Sequence, residues 1–294
     1  MSDVAKLKAF KPQHPFFVGI DSDGCVFDTM EIKQKECFIP NIIKLYGGQS
    51  VSKYLRECAE FVNLYSKWRG VNRFPALLKS FELLAERPEV RARGFKNPDL
   101  SSLQAWTERE TKLGNPALKA ESEKTGDACL KLTYRWSETV NKAVEEMVFG
   151  IPPFPMVRES LQKLTGRADK IVCSQTPTEA LVREWEEHGI QGFVEFICGQ
   201  EMGTKTEHLA FASGGKYEPG RVLMIGDALG DLKAAQGNKA LFYPIMPGDE
   251  DASWTRFHDE AIDKFLGGAF AGDYQKQLIR DFEKRLPETP PWKK

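Results

Sequence analysis

The segment Phe16-Phe-Val-Gly-Ile-Asp21-Ser-Asp23-Gly-Cys-Val-Phe-Asp28-Thr29 combines a short apolar run with a cluster of acidic residues. The run at residues 16–20 is typical of a buried β-strand. Asp21, Asp23 and Asp28 follow it directly. Open parallel sheets bind their ligands at the carboxyl ends of their strands, so acids in this position predict a polar site at one edge of a sheet.

The chain from residue 150 to residue 248 alternates between apolar runs and helical patterns. The runs predict strands at 170–174, 194–198, 221–225 and 240–245, each separated from the next by a helix. Alternation at this pitch predicts parallel βαβ units and an open, Rossmann-like α/β sheet covered on both faces. Two further helices are predicted from about residue 252, and the Pro-rich end from Pro287 is predicted to fray.

Between these parts, residues 31–149 show apolar residues at helical spacing, separated by Gly and Pro punctuation, and no competing strand pattern. We therefore predict an all-helical domain at 31–149, inserted into a discontinuous α/β core formed by residues 1–30 and 150–294. An insert of this length is within the usual size range of a domain.

Composition and charge exclude several classes of function. The chain has 294 residues and a formal net charge of −1, so no broad basic surface for nucleic acid is evident. Its apolar runs are too short to span a bilayer, and the polar N-terminus does not resemble a secretory signal. We expect a cytoplasmic protein with no membrane partner. The six cysteines and four histidines lack the spacing of a zinc site, and the cysteines are expected to be reduced.

The other predicted strands also end in polar residues. The second ends in Ser174 and is followed by Gln175, the fourth is followed by Asp227 and Asp231, and Lys205 precedes a helix. Carboxylates gathered at one edge repel one another unless a cation neutralises them, and oxygen ligands without His or Cys favour Mg²⁺. The added lysine and hydroxyl group indicate a pocket for phosphate. A carboxylate in such a pocket is able to attack phosphorus.

These segments, in this order, resemble the haloacid dehalogenase-like (HAD) hydrolase superfamily. Its first signature, DxDGxxxDT, corresponds to residues 21–29, and the helical insert that follows is similar in position to a cap of the C1 type. Ser174 resembles the second motif, Lys205 the third, and the GDxxxD sequence at 226–231 the fourth. The resemblance covers residues 12–30 and 150–248, and it implies a HAD core with an inserted helical cap.

The resemblance also implies roles for single residues. Asp21 would be the nucleophile and a magnesium ligand, and Asp23 the general acid/base with its backbone carbonyl on the metal. Ser174 and Lys205 would hold the oxygens of the transferring phosphoryl group, where donors aimed at developing charge contribute most. Asp227 would be the second metal carboxylate.

Further residues would support this set. Asp231 would orient Lys205 or a water molecule on the metal, and Asp28 would cap the following helix or fix the loop. The backbone amides of Asp23 and Gly24 would complete the phosphate cradle. Gln175, next to Ser174, is predicted to contact the substrate.

Within the insert, the sequence Trp68-Arg-Gly-Val-Asn-Arg73-Phe74 resembles a substrate-specificity loop in caps of the sugar-phosphate mutase branch. Arg73 would bind a substrate anion there, since a guanidinium forms bidentate hydrogen bonds to anions. The alternative is a turn between two cap helices with a surface arginine, and the sequence leaves both open for Arg73.

The acid at position 23 limits which reactions of the superfamily are expected for this chain. Dehalogenases and phosphonoacetaldehyde hydrolases of this superfamily lack it, so Asp23 favours cleavage of a P–O bond, whose leaving oxygen needs a proton. We predict a magnesium-dependent phosphatase, of the phosphoglycolate phosphatase-like class, that acts on a small phosphorylated metabolite. A sugar-phosphate mutase and a catalytically silent binding or regulatory protein on the same fold remain alternatives.

Overall fold

Five parallel strands form one sheet, in the spatial order β3-β2-β1-β4-β5. The structure is a computed structural model that describes residues 2–293. The strands, β1 to β5 in chain order, are Phe16–Ile20, Ala168–Cys173, Phe196–Cys198, Val222–Gly226 and Leu241–Pro244. The predicted α/β class with an open parallel sheet is confirmed, and each predicted strand is present within a few residues of its expected limits.

The register of the sheet brings its chemically important residues to one edge. Ile20, the last residue of the central strand β1, pairs with Val172 of β2 and with Ile225 of β4. The chain leaves these strands towards Asp21, Ser174 and Asp227 at the same edge. Because the strands are parallel, the residues that follow them lie next to one another in space.

The α-helices, α1 to α16 in chain order, are Asp3–Ala9, Thr29–Ile32, Ile39–Leu45, Ser52–Leu64, Arg73–Glu86, Pro88–Ala92, Ser101–Arg109, Asn115–Thr125, Ala128–Met147, Val157–Leu164, Thr178–Glu187, Lys205–Ser213, Leu229–Gly237, Glu250–Arg256, Ile262–Leu266 and Asp273–Arg285. Two short π-helices, Lys33–Phe38 and Phe257–Ala261, continue directly into α3 and α15. Short 3₁₀ turns lie at Gln49–Val51, Gln191–Phe193, Gln200–Met202 and Pro291–Lys293.

Both faces of β1 are covered by side chains from helices and loops. On one face the ring of Phe16 packs against Phe265 of α15, with 5.1 Å between ring centroids. On the other face Phe17 packs against Tyr217, and α12 approaches so closely that a Cβ on Gly19 would lie 2.6 Å from Leu209 Cδ2. Burial on both faces explains why β1 reads as a continuous apolar run rather than an alternating one.

The segment before β1 is anchored at the amino end of the sheet by Asp169, whose side chain is fully buried. Its carboxylate accepts hydrogen bonds from the backbone N–H groups of Gln13 and His14, at 3.0 and 3.2 Å. The His14 ring and the Tyr217 hydroxyl also contact it, at 2.8 and 2.7 Å. A buried carboxylate with several donors is well compensated, so this cluster ties the N-terminal segment to the sheet.

The chain divides into two compact units. The sheet unit contains the residues up to Met30 together with Gly150–Pro287, and the helical unit contains Glu31–Phe149 together with the residues from Glu288 onward. No strand occurs in the described part of the helical unit, and its own core includes Phe74, Trp106 and Trp136. A separate hydrophobic core is what an inserted domain requires to fold as a unit.

The C-terminal residues differ from the sequence-based expectation, which placed them with the sheet and predicted fraying. Pro291–Lys293 form a 3₁₀ turn that belongs to the helical unit. The Trp292 ring lies 4.6 Å from the Arg87 guanidinium and 5.6 Å from the Phe61 ring. These aromatic and cation–π contacts give the tail a fixed place that its Pro-rich composition does not indicate.

No helix among residues 2–293 is both long enough and apolar enough to cross a membrane.

Candidate active site

Three buried carboxylates meet at the carboxyl edge of the sheet. Asp21 follows β1 and is 4% exposed, Asp227 follows β4 and is 2% exposed, and Asp231 lies in the first turn of α13 and is fully buried. Each offers a carboxylate oxygen within 4.8 Å of those of the other two. Burying three like charges together is strongly unfavourable unless cations compensate them.

Lys205 supplies one of the compensating charges. Its Nζ lies 2.8 Å from Asp21 Oδ2 and 2.6 Å from Asp231 Oδ1, and its side chain is 16% exposed. The lysine is the first residue of α12, whose start is fixed by a capping box between Thr204 and Glu207. The cap therefore fixes the backbone from which the lysine side chain reaches the two carboxylates.

The pKa values in this cluster reflect burial and mutual charge. Burial raises the pKa of Asp21 well above its usual range, and although Lys205 opposes this rise, Asp231 and Asp227 add to it. The pKa of Asp231 is raised for the same reasons. Burial acts to lower the pKa of Lys205, but the surrounding carboxylates raise it well above its ordinary value and keep the lysine charged. Lys205 contacts Asp21 and Asp231, and the three acids together form a group that could hold a metal ion.

Asp231 uses both carboxylate oxygens within the protein. Oδ1 contacts Lys205, and Oδ2 accepts a hydrogen bond of 3.0 Å from the backbone N–H of Ala228. The carboxylate packs directly over Gly226, where an added Cβ would lie 2.4 Å from the Asp231 Cβ. The glycine of the GDxxxD sequence is thus required for this close approach, and Asp231 is placed to hold the lysine.

Asp23 lies in the tight loop after β1, and hydroxyl groups contact both of its carboxylate oxygens. Thr29 Oγ1 donates to Oδ1 at 2.5 Å, and Thr176 Oγ1 donates to Oδ2 at 2.7 Å. The loop turns at Gly24, whose φ of 74° is in the left-handed region that favours glycine. The N–H of Gly24 donates to the Phe27 carbonyl at 2.8 Å. In this conformation the Gly24 amide is used within the loop, not in the phosphate cradle that the family resemblance implied.

The loop after β2 carries Ser174, Gln175 and Thr176. Ser174 is 2% exposed, and its Oγ accepts a hydrogen bond of 3.1 Å from the N–H of Thr176. Gln175 Nε2 donates to the carbonyls of Gly203 and Ser174, at 3.0 and 3.2 Å. Gln175 therefore links this loop to the segment that precedes Lys205, and its amide nitrogen is hydrogen-bonded to backbone carbonyls.

Arg73 begins α5 in the helical unit, and its guanidinium has only uncharged partners among the described residues. Nη1 donates to Ser137 Oγ at 2.9 Å and to Asn141 Oδ1 at 2.7 Å, and Cζ lies 4.9 Å from the centroid of the Phe38 ring. Burial lowers the pKa of Arg73 to about 10. The Arg73 side chain is therefore held by contacts within the helical unit, rather than extending freely from a surface turn.

Asp28, in the sheet unit, is exposed to solvent.

Sequence reasoning missed Thr176, although it lies only two residues beyond Ser174. A hydroxyl residue in a strand-end loop is common, and its partner Asp23 is distant in sequence. Thr29 was included in the first motif, but no role was assigned to it. In both cases the missing information was a contact between side chains, which residue spacing does not give.

No protein-family model matches the sequence, and a search of curated proteins finds no match. The fold is similar to solved structures of bacterial hydrolases. A haloacid dehalogenase-like family hydrolase from Streptococcus pneumoniae is 12% identical, with a TM-score of 0.46 over 83% of this chain and 91% of that chain. A HAD-superfamily hydrolase of subfamily IA from Geobacter sulfurreducens is 16% identical, with a TM-score of 0.40 over 79% and 88%.

A third similar structure is a protein predicted to be a phosphoglycolate phosphatase, from Haemophilus somnus. It is 13% identical, with a TM-score of 0.44 over 79% of this chain and 86% of that chain.

Proposed function

We propose that this protein is a magnesium-dependent phosphatase of the HAD type, which hydrolyses a small phosphomonoester through an aspartyl phosphate on Asp21. The observation that carries the proposal is the placement of Asp21. Its buried carboxylate is held by Lys205 at 2.8 Å, close to Asp227 and at the ligand-binding edge of a parallel sheet. This combination supplies a nucleophile and a positive charge for a phosphate group at the same point.

The donor set fits a magnesium ion. Asp21 and Asp227 offer carboxylate oxygens near one another, and neither His nor Cys belongs to the cluster that they form with Asp231. The family resemblance adds the backbone carbonyl of Asp23. Because Asp231 is used by Lys205 and a backbone N–H, we assign the metal to Asp21, Asp23 and Asp227. When bound, Mg²⁺ would neutralise negative charge on the carboxylates and on the phosphate. Without it, the repulsion between these charges would keep the nucleophile away from phosphorus.

Each residue of the site then has its own role in the two chemical steps. An Asp21 carboxylate oxygen attacks phosphorus while Asp23 gives its proton to the leaving oxygen, so one P–O bond forms and another breaks. Lys205 and Ser174 hold the phosphoryl oxygens during the transfer. Asp23, now a carboxylate, takes a proton from water, and that water attacks the phosphorus of the aspartyl phosphate. Inorganic phosphate leaves, and Asp21 is regenerated.

We propose Arg73 as the residue of the helical unit that recognises an anionic or hydroxyl-rich part of the substrate. Its charge is partly buried, and its described partners are neutral, which is an arrangement that favours an added anion. This feature also favours the second candidate, a sugar-phosphate mutase. In a mutase, the aspartyl phosphate would return its group to another hydroxyl of the substrate rather than to water.

The proposal is tested by the release of phosphate from p-nitrophenyl phosphate and from a panel that includes phosphoglycolate, sugar phosphates and nucleotides. We expect turnover that requires Mg²⁺ and that Asp21→Asn abolishes. Asp23→Asn should form the phosphoenzyme poorly from alkyl phosphates and hydrolyse it slowly. If Asp21→Asn is as active as the natural protein, the nucleophile assignment is wrong. If the natural protein turns over no phosphoester although it binds Mg²⁺, the chain is a binding protein.

A second experiment separates hydrolysis from isomerisation. The protein is incubated with a hexose 1-phosphate and a trace of the hexose bisphosphate, and free phosphate and isomerised hexose phosphate are both measured. Free phosphate is expected from a phosphatase. Isomerised product without free phosphate would replace this proposal with the mutase.

A further inference from the structure

The Asp23 carboxylate is contacted by hydroxyl groups from two different parts of the chain. Thr29 donates from the same loop, at 2.5 Å, whereas Thr176 donates from the loop after β2, at 2.7 Å. The second contact joins the carboxyl ends of two neighbouring strands. We infer that Thr176 is a positioning residue, which orients Asp23 for proton transfer; this inference rests on the function proposed above.

Thr176 is itself fixed by its surroundings. Its N–H donates to Ser174 Oγ at 3.1 Å, and its carbonyl accepts from the N–H of Gln200 at 3.1 Å. Gly199 packs so closely behind it that an added Cβ would lie 2.7 Å from the Thr176 carbonyl oxygen. A side chain on such a constrained backbone holds its hydroxyl in one place without further ordering when substrate binds.

The start of α11 reinforces the same loop. Glu201 Oε2 accepts hydrogen bonds from the N–H and the hydroxyl of Thr178, at 3.0 and 2.9 Å. These bonds connect Glu201, two residues after Gly199, with the helix that begins two positions after Thr176. The position of Thr176 is therefore set by the β2–α11 loop and the Gly199–Glu201 segment together.

A hydroxyl group suits the two protonation states that Asp23 passes through. Before proton transfer Thr176 donates to Oδ2 of Asp23, and the proton of the carboxyl group stays available for the leaving oxygen. Thr176 continues to donate to the carboxylate that remains, until Asp23 takes a proton from the attacking water. Thr176 thus keeps the same partner through both steps, and the proton itself passes only between Asp23, the leaving oxygen and water.

The test compares two substrates that differ in their need for the proton. Phenyl phosphate has a poor leaving group that depends on Asp23, whereas p-nitrophenyl phosphate has a good one that departs without a proton. For each, kcat/KM reports the transfer of the phosphoryl group to Asp21. Because general acid catalysis is typically worth 10²- to 10⁴-fold, we expect Thr176→Val to lower kcat/KM for phenyl phosphate by about tenfold. For p-nitrophenyl phosphate we expect a change of less than roughly twofold, since no proton is needed.

Two further variants make the result specific. Thr176→Ser retains the hydroxyl and should restore most of the activity towards phenyl phosphate. Thr255→Val makes the same substitution on an exposed turn of α14, where the hydroxyl donates to the carbonyl of Asp251. This variant should leave kcat/KM unchanged for both substrates. The inference is overturned if Thr176→Val lowers kcat/KM equally for both substrates, because an equal loss indicates a structural effect. It is also overturned if the variant lowers kcat/KM for neither substrate.

Failure of the proposed phosphatase function can be distinguished from failure of the proposed role of Thr176. If Asp21→Asn keeps its activity, or if the natural protein releases no phosphate from either substrate, the phosphatase mechanism is wrong and the role of Thr176 falls with it. If Asp21→Asn is inactive and the two substrates respond equally to Thr176→Val, only the role of Thr176 is wrong.

Discussion

Replacing Lys205 by methionine removes an ammonium group that contacts the buried carboxylates of both Asp21 and Asp231. The Lys205 Nζ lies 2.8 and 2.6 Å from those carboxylates, whose side chains are 6% and 0% exposed. At an effective dielectric constant near 20, each contact is worth roughly 6 kcal/mol of Coulomb attraction, most of which desolvation offsets. Removing one partner of a buried pair typically costs about 3–5 kcal/mol, and we expect that loss here.

The effect should depend on pH in a defined direction. Burial raises the folded-state pKa of Asp21, so in the metal-free protein its contribution to stability is fully present below the unfolded pKa and is lost as the pH rises through the folded pKa. Without Lys205 the carboxyl groups are harder to ionise, and the folded-state pKa rises further. The stability deficit of Lys205→Met should therefore be smaller at acidic pH, where these carboxyl groups are protonated, and larger as the pH rises.

The assay is urea unfolding of both proteins in EDTA, at about pH 5 and about pH 8, which lie above the ordinary carboxyl pKa values and on either side of the ordinary histidine pKa. Adding Mg²⁺ should reduce the deficit, because a dication compensates the same carboxylates. Lys264→Met is the control, since it removes a half-exposed lysine 3.6 Å from Glu260 and should change stability by less than about 1 kcal/mol. A deficit no larger than this control, or one that grows on acidification, would refute the charge argument.

Two further predictions test other parts of the sheet unit. Gly226→Ala places a Cβ 2.4 Å from the Cβ of Asp231, so we expect phosphatase activity to fall by about 100-fold, as a displaced catalytic group commonly does. Gly230→Ala, where an added Cβ meets nothing within 4 Å, should retain full activity in the same assay. Asp169→Asn should lower the free energy of unfolding at neutral pH by about 2 kcal/mol, because a buried acceptor of several hydrogen bonds is altered. Burial acts to raise the pKa of Asp169, but hydrogen bonds, first from Tyr217, lower it below the ordinary value, so its contribution is present above the unfolded pKa. The deficit in urea unfolding should therefore shrink as the pH falls through the folded pKa, and a deficit that is constant with pH would contradict this reasoning.

The sheet was predictable because its residues carry two signals that agree. The run at 16–20 is apolar on both faces, and the acids at its end mark the edge where a parallel sheet binds ligands. Because the strands are parallel, their carboxyl ends share one edge, and the observed register of Ile20 with Val172 and Ile225 places Asp21 near Asp227. Local patterns of this kind carry enough information for the fold and for which residues share an edge.

Contacts made by single polar groups were not predictable in the same way. The amide of Gly24 donates within its own loop because the left-handed turn directs it to the Phe27 carbonyl, which the motif alone does not reveal. The tail containing Trp292 has the composition of a frayed end, yet it is held by Arg87 and Phe61. The Gly24 contact is local and the Trp292 contacts are long-range, but neither kind leaves a periodic pattern in the sequence.

The charges at the site link its structure to the proposed chemistry. Asp21, Asp227 and Asp231, when ionised, carry three negative charges, and Lys205 places one positive charge against Asp21 and Asp231. A bound dication would offset more of this negative charge than a monovalent cation, and would therefore reduce the repulsion of an incoming phosphate more strongly. Asp23, part-buried and contacted by Thr29 and Thr176, lies outside that cluster. In the proposed mechanism, this separation would let Asp21 act as the nucleophile while Asp23 exchanges a proton, which is the division of roles that hydrolysis of a phosphomonoester requires.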